Sequence, residues 1–168
     1  MSSEPHYLSA GASFSEDRVY RYSLWRTWDE ARPSVVFVML NPSTADETRL
    51  DPTVRRCVGY AMRWGYGGLV VGNIFAFRST DPAGLRAAED PVGPGNDAAL
   101  VEMASRWGMV VCAWGGHGKF MGRGREVAKS LASEARELCA LRLTASGDPG
   151  HPLYLPGNLL PTWFGYGR

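Results

Sequence analysis

Apolar and polar residues follow one another along this chain in blocks that predict strands and helices in alternation. Apolar runs rich in β-branched residues predict buried strands at residues 34–40, 69–77, 109–114 and 141–144. Residues 18–28 alternate polar and apolar, which indicates a half-buried strand. Helical spacing of apolar residues predicts helices between these strands, at residues 51–64, 96–107 and 123–138. Asp51 would cap the first of them, with Pro52 at its first helical position, and Asn96 would cap the second.

The order of these elements predicts an α/β fold. We expect a three-layer α/β/α arrangement with a central, mainly parallel, four-stranded sheet and an added N-terminal strand or hairpin. The hairpin would join residues 18–28 to residues 34–40 through the turn at Asp29–Pro33. A chain of 168 residues without a long linker predicts a single domain over residues 1–168, with residues 1–17 loosely ordered.

The charge, the cysteines and the apolar runs of the chain limit the classes of partner, cofactor and location that we expect. The net charge of +1 gives no global field that would attract nucleic acid or a membrane, so an anionic partner must meet a local basic patch. Three cysteines far apart in sequence indicate neither a disulfide framework nor a four-thiolate cluster. The chain has no membrane-spanning run and no signal-peptide core. We therefore expect a cytoplasmic protein, a monomer that needs no cofactor and contacts no membrane.

Polar side chains stand at or just after the ends of the predicted strands. The first strand runs into Asn41-Pro-Ser-Thr44, where Pro42 restrains Asn41 toward an extended conformation. Asn73 lies in the second strand, His117 follows the third and His151 follows the fourth. Because parallel strands end at one edge of a sheet, we expect these groups to converge on a small pocket there.

Each of these residues also has an ordinary structural explanation. Asn41 would belong to a turn, Asn73 would be a satisfied interior amide, and His117 and His151 would be loop residues. The functional interpretation depends on the four acting as a set. The loop around His117 to Lys119 exposes glycine backbone N–H groups, but it lacks the Lys-Ser or Lys-Thr pair of a P-loop.

Several motifs together resemble the bacterial and phage family known as domain of unknown function 1643. They cover most of residues 18–165. They are Asn41-Pro-Ser-Thr-Ala-Asp46, Arg55-Arg-Cys57, Trp64-Gly-Tyr-Gly-Gly68, Asn73-Ile-Phe-Ala-Phe-Arg78 with Thr80-Asp-Pro82, Trp114-Gly-Gly-His-Gly118 and His151-Pro-Leu-Tyr154.

The order of motifs is also similar to that of the uracil-DNA glycosylase superfamily. Met39-Leu-Asn-Pro-Ser43 resembles its first motif, with both glycines replaced. The segment that begins Val71-Gly-Asn73 resembles the strand that reads the base, and His151-Pro-Leu-Tyr-Leu155 resembles its last motif. The resemblance implies a glycosylase-like body over residues 18–165. It also implies a DNA-repair hydrolase that excises uracil or a modified pyrimidine from single- or double-stranded DNA after base flipping.

This resemblance assigns roles to individual residues. Asn41 would position water, with help from Asp46, and His151 would stabilise the departing base. Asn73 would bind the base edge, with Ser43 beside it and Phe75, Tyr66 or Trp114 as a stacking wall; core packing is the alternative for the aromatic residues. The residues expected to contact DNA, of which the arginines could equally be a solvated helix face, are Arg49, Arg55, Arg56, His117 and Lys119.

Two other functions stay open at this point. One is a non-catalytic nucleic-acid- or nucleotide-binding protein on the same fold, and the other is an enzyme of modified-nucleotide metabolism. The sequence also leaves open whether the aromatic C-terminus, Trp163, Phe164 and Tyr166, packs on the body or meets a partner.

Overall fold

The computed structural model describes residues 4–165, which form an α/β fold with a seven-stranded mixed sheet and four α-helices. The strands are β1 (Ser9–Phe14), β2 (Arg21–Thr27), β3 (Ser34–Met39), β4 (Gly68–Asn73), β5 (Met109–Cys112), β6 (Glu137–Ala140) and β7 (Thr162–Trp163). The helices are α1 (Pro52–Arg63), α2 (Pro82–Ala87), α3 (Asn96–Trp107) and α4 (Arg123–Glu134).

The sheet has the strand order β1-β2-β4-β3-β5-β6-β7. Strands β4, β3, β5 and β6 pair in parallel, whereas β1 and β2 at one side and β7 at the other pair antiparallel. From β3 the chain crosses to β4 on one side, and β5 lies on the other side of β3. The order therefore reverses between β3 and β5, the position where open α/β sheets form a crevice beyond their carboxyl ends.

Helices cover both faces of the sheet and give two hydrophobic clusters. Alternate residues of β3 point to opposite faces, so that Val36 and Val38 belong to one cluster and Val35 and Phe37 to the other. Helix α1 packs on the Phe37 face, and helices α3 and α4 pack on the Val36 face. This burial on both sides explains why β3 reads as a continuous apolar run.

The N-terminal part of the fold differs from the expected hairpin. Strand β2 pairs with β1 and β4 and does not pair with β3. Strand β1 lies within residues 1–17, so this segment is not loosely ordered throughout. The sequence of β1, Ser-Ala-Gly-Ala-Ser-Phe, contains no run of large apolar residues that would predict a strand, because β1 is an edge strand whose side chains are largely exposed.

Two further expectations need correction. The sheet has three antiparallel strands, β1, β2 and β7, beside the four parallel ones, where only an N-terminal strand or hairpin was expected. Strand β6 comes before residues 141–144, because α4 ends at Glu134 instead of reaching Leu138. At the C-terminus, Phe164 is buried edge-on against Trp114, while Trp163 is exposed and Tyr166 lies outside the described residues.

None of the helices within residues 4–165 has the length and apolar character that crossing a bilayer requires.

Candidate functional site

The carboxyl ends of β3, β4 and β5 form the edge of the sheet at which three of the expected site residues stand. Asn41 follows β3 by two residues, and Asn73 is the last residue of β4, paired in register with Met39 of β3. His151 reaches the end of β5 through Gly115, whose N–H donates to the carbonyl of Pro149 at 2.8 Å. A β-carbon added at Gly115 would lie 3.6 Å from the Cβ of His151.

The amide of Asn41 uses its nitrogen to hold the chain beyond β4. Nδ2 donates to the carbonyl of Ser79 at 2.8 Å and to that of Pro42 at 3.1 Å, with a longer contact to Phe77 at 3.5 Å. These contacts fix the orientation of the amide, because only the nitrogen can donate to carbonyls. No described residue donates to Oδ1, so this atom can accept a hydrogen bond from water or a ligand.

The side chain of Asn73 bonds to the protein through its amide oxygen, whereas Asn41 uses its amide nitrogen. It is 2% exposed, and its Oδ1 accepts from Nη2 of Arg21 at 3.4 Å. Its backbone carbonyl accepts from Nδ2 of Asn96 at 2.8 Å. Asn96 was expected to cap helix α3, but Gly95 holds that position and Asn96 is buried beneath the end of β4.

Two buried arginines of β2 hold the loop between β3 and α1. Arg21 donates from Nη1 to the carbonyl of Ala45 at 2.9 Å, and Arg26 donates from Nη2 to that of Asp46 at 2.6 Å. Desolvation by burial lowers the pKa of Arg21 to about 10, so the guanidinium remains charged at neutral pH. The alternating pattern of β2 indicated a half-buried strand, but nothing in it showed that arginines would take the inner positions.

His151 is held as a neutral imidazole with one free nitrogen. Its Nδ1 accepts from the backbone N–H of Leu153 at 3.3 Å, which leaves the proton on Nε2. Burial lowers the pKa of His151, and the negative charge of Asp51 opposes this shift. The ring lies 5.4 Å from that of Tyr154, centroid to centroid.

Of the two carboxylates between β3 and α1, Asp51 rather than Asp46 interacts with the candidate site residue His151. Asp46 accepts at one oxygen from the backbone N–H groups of Thr48 and Arg49 and from the Thr48 hydroxyl, and these bonds lower its pKa. Asp46 therefore stabilises a turn and is a weak base. Asp51 caps helix α1 by accepting from Val54 at 2.9 Å, and its charge acts on both Arg21 and His151. The sequence indicates Asp51 only as a helix cap.

Two aromatic residues expected in a stacking wall lie elsewhere. Tyr66 stands before β4, and the strand itself separates that end from Asn73 by about 16 Å. Phe75 is fully buried in the cluster under α3 and α4, where its ring contacts that of Phe120 at 5.5 Å. Trp114 is also buried, whereas Ser43 is half-buried in the loop after β3. Core packing therefore explains Phe75 and Trp114.

The five expected DNA contacts differ in exposure and in the partners that they already have. Arg49, His117 and Arg55 are exposed, and Arg55 pairs with Glu4 at 2.6 Å. Arg56 is half-buried against the segment around Gly157. Lys119 pairs with Asp148 and donates to the Ser146 hydroxyl, so its charge is neutralised locally.

Beyond β5 and β6 lies a cavity of about 570 Å³. Its walls include glycine backbone, the pair Lys119 and Asp148, and the aromatic rings of Trp114 and Phe164. Asn41, Asn73 and His151 do not line it. Within residues 4–165, no group of three or more His, Cys, Asp or Glu side chains is arranged to hold a metal ion.

Comparison with known proteins gives one match. The family model described as "Protein of unknown function (DUF1643)" matches residues 21–153, which include β2 through β6 and His151. No curated protein and no solved structure matches the chain.

Proposed function

The chain belongs to the DUF1643 family of proteins of unknown function, and we propose that it is a DNA glycosylase. The site at the ends of β3, β4 and β5 would hydrolyse the N-glycosidic bond of uracil or a modified pyrimidine flipped out of DNA. The main support is that Asn41, Asn73 and His151, far apart in sequence, stand around the reversal of strand order between β3 and β5.

The free atoms of these residues suit the reaction. Breaking the N-glycosidic bond builds positive charge on the sugar and negative charge on the leaving base. Oδ1 of Asn41 would accept a hydrogen bond from the attacking water, and Nε2–H of His151 would donate to the departing base. Asp51 would take the role expected of Asp46 and help Asn41 to position the water, because the charge of Asp51 already acts on His151.

The proposal extends to the fold and to DNA. We infer that the parallel strands β4, β3, β5 and β6, with helices on both faces, correspond to the three-layer core of the uracil-DNA glycosylase superfamily. Arg49 and His117 are the exposed residues through which phosphates would be met, and Arg55 would exchange Glu4 for a phosphate. Such contacts make binding weaker as salt concentration rises.

Strand-break assays test the proposal directly. The native protein is incubated with single- and double-stranded oligonucleotides that carry uracil, hydroxymethyluracil or other pyrimidine variants, and abasic sites are then cleaved with alkali. We expect breaks at one base, reduced about a hundredfold or more in Asn41→Ala and His151→Ala. The matched controls Asn158→Ala and His6→Ala, at exposed positions, should keep native activity. Absence of breaks with every substrate would disprove the glycosylase.

The burial of Asn73 favours a second candidate, a non-catalytic nucleic-acid-binding protein. With 2% of Asn73 exposed, its amide offers a base almost no accessible surface. Salt-sensitive binding of DNA without strand breaks would support this candidate. Turnover of free nucleotides without DNA binding would instead indicate an enzyme of nucleotide metabolism.

A further inference from the structure

Helix α1 carries positive charge that no carboxylate of its own balances. It contains three arginines and no acidic residue, and the segment that packs on it, residues 156–159, contains no acidic residue either. Two of the arginines, Arg56 and Arg63, have no carboxylate oxygen within 4.0 Å among residues 4–165. A chain with a net charge of only +1 therefore has a local basic patch on this helix.

The ends of Arg56 and Arg63 meet at Gly157. Nη1 of Arg63 donates to the carbonyl of Gly157. A β-carbon added at Gly157 would lie 3.0 Å from Nη1 of Arg56 and 3.1 Å from Nη1 of Arg63, so these two nitrogens are no more than about 6 Å apart. This distance is shorter than the screening length of about 8 Å at physiological ionic strength, so the two positive charges repel each other.

A third arginine extends the patch. Arg142 follows β6 and has no carboxylate oxygen within 4.0 Å among the described residues. Burial raises the pKa of Tyr60, and the charges of Arg56, Arg63 and Arg142 all oppose this shift. Because Oη of Tyr60 donates to the carbonyl of Pro156 at 2.5 Å, the three charges lie around this part of the chain.

The three arginines are accessible to a ligand. Arg63 and Arg142 are exposed, and Arg56 is half-buried. The guanidiniums of Arg56 and Arg142 form no hydrogen bond with another residue of the described chain, so their donors are free. Two guanidiniums that repel each other at an open surface, without a counter-ion, are an arrangement that an anion would stabilise.

The number of arginines indicates which anion fits. A guanidinium donates two parallel hydrogen bonds to the oxygens of a carboxylate or a phosphate. A terminal phosphate has a charge of about −1.5 to −2 at neutral pH and three strong acceptor oxygens. Each phosphate within a nucleic-acid strand has a single negative charge. Three arginines without a counter-ion therefore match a terminal phosphate better than a carboxylate or an internal phosphate.

We propose that Arg56, Arg63 and Arg142 form a binding site for a terminal phosphate, carried by a free nucleotide or by the end of a nucleic-acid strand. The inference goes beyond the proposed function, because it includes none of the residues assigned to base excision and requires no reaction. Arg56 was expected only as one contact to DNA, whereas the site adds Arg63 and Arg142 and specifies the group that they bind.

Two pairs of probes that differ only in a terminal phosphate test the site. One pair is a short single-stranded oligonucleotide with a 5′-phosphate and the same oligonucleotide with a 5′-hydroxyl. The other pair is thymidine 5′-monophosphate and thymidine. Calorimetric titration of the native protein at low salt, in a buffer without phosphate, measures each affinity. We expect the phosphorylated member to bind about tenfold more tightly in at least one pair, because it adds charge-assisted hydrogen bonds. The pair that shows this ratio identifies the source of the phosphate.

Variants that remove charge locate the site. Arg56→Gln/Arg63→Gln should reduce the ratio between the phosphorylated and unphosphorylated probes to about one, and Arg142→Gln should reduce it in part. The matched control Arg86→Gln/Arg106→Gln removes the same charge from exposed positions of α2 and α3, so it should keep the native ratio.

A carboxylate introduced at Gly157 tests the repulsion while all three arginines stay in place. Gly157→Asp puts a negative charge beside the ends of Arg56 and Arg63, and Gly157→Asn has the same shape without the charge. We expect the urea midpoint of Gly157→Asp to exceed that of Gly157→Asn at low salt, and the difference to shrink in about 1 M salt. This comparison does not depend on the hydrogen bond from Arg63 to the backbone, which Arg63→Gln removes.

The outcomes distinguish this inference from the proposed function. Equal affinities within both pairs of probes, a native ratio in Arg56→Gln/Arg63→Gln, or equal low-salt midpoints for the two Gly157 variants would overturn the inference, even if DNA were cleaved. A phosphate preference that depends on these arginines, with no strand breaks in any oligonucleotide, would support the inference and disprove the glycosylase.

Discussion

At the scale of single residues, each polar side chain of the candidate site bonds to the protein through one atom and leaves its other polar atom without a protein partner among residues 4–165. Asn41 uses its amide nitrogen to bind carbonyls and leaves its oxygen free, whereas Asn73 does the reverse. His151 uses Nδ1 and leaves Nε2. The protein thus sets the orientation of three groups whose two ends are chemically different, which is the arrangement that a binding site requires.

The orientation of Asn41 can be tested by stability. In Asn41→Asp a carboxylate oxygen would face the carbonyls of Pro42 and Ser79, so we expect a loss of about 1–3 kcal/mol, larger than that of Asn41→Ala. Urea unfolding at neutral pH measures the difference. Asn158→Asp, at an exposed position, serves as the matched control and should change little. An Asn41→Asp variant as stable as native would show that Nδ2 does not hold these carbonyls.

The lowered pKa of His151 predicts that the protein loses stability as the pH falls below 6.5. Burial lowers its pKa below the ordinary value of 6.5, so the unfolded chain takes up the proton before the folded chain does. The contribution of His151 to stability is therefore complete above pH 6.5. It is lost as the pH falls from there through the lower pKa of the folded state.

The measurement compares unfolding free energies in urea at pH 7.5 and 5.5. His151→Gln should lose part of the native difference between the two pH values, and His117→Gln, at an exposed loop position, should retain it. An unchanged difference in His151→Gln would contradict the burial of a neutral imidazole at this position.

At the scale of elements, the segment after β5 is built around Trp114. Gly115 has a φ of 73°, which turns the chain into the 3-10 segment Gly116–Gly122, and a kink at Phe120 and Met121 interrupts this segment. Gly118 and Gly124 then pack against the indole so closely that a β-carbon at either would lie under 3.0 Å from it. These glycines therefore serve the packing of Trp114, and they do not by themselves indicate a phosphate-binding loop.

A pair of alanine substitutions tests this packing. In Gly118→Ala the new methyl group would lie 2.1 Å from Cδ1 of Trp114, so we expect a loss of about 1–3 kcal/mol and a changed tryptophan fluorescence. Gly116→Ala in the same helix meets no atom within 4 Å and should stay close to native stability. Equal effects of the two substitutions in urea unfolding would contradict the close packing.

At the scale of the whole molecule, one sheet joins both hydrophobic clusters. Each of the strands β3, β4, β5 and β6 contributes alternate residues to the cluster under α1 and to the cluster under α3 and α4. Loss of α1, or of α3 and α4, would expose one face of the same four strands. The described residues therefore predict a single cooperative unit.

Unfolding observed on the two faces should coincide. Trp28 and Trp64 pack in the cluster under α1, and Trp25, Trp107 and Trp114 pack in the other cluster. The variant Trp28→Phe/Trp64→Phe therefore removes the tryptophans of the α1 face, and the variant Trp25→Phe/Trp107→Phe/Trp114→Phe removes those of the opposite face. We expect urea transitions followed by fluorescence and by circular dichroism to share one midpoint in each variant. Two separate midpoints within one variant would show that the faces unfold independently.

The sequence by itself determined the elements whose signals are local. The run from Ser34 predicted β3, and Asp51-Pro52 predicted the start of α1, because hydrophobic period and capping chemistry act within a few residues. The same signals placed Asn41 just beyond a strand. They misjudged β1, β6 and the end of α4, where exposed edge residues and a short connection carry weak signals.

Only the tertiary structure decided which elements meet. It paired β2 with β4 instead of β3, which brought Arg21 to Asn73 across 52 residues of sequence, and it left Tyr66 at the far end of β4. Periodicity states which face of a strand is buried, but it contains no information on the neighbouring strand. The orientation of the site amides follows from those long-range contacts, because their hydrogen-bond partners come from segments that only the folded sheet brings together.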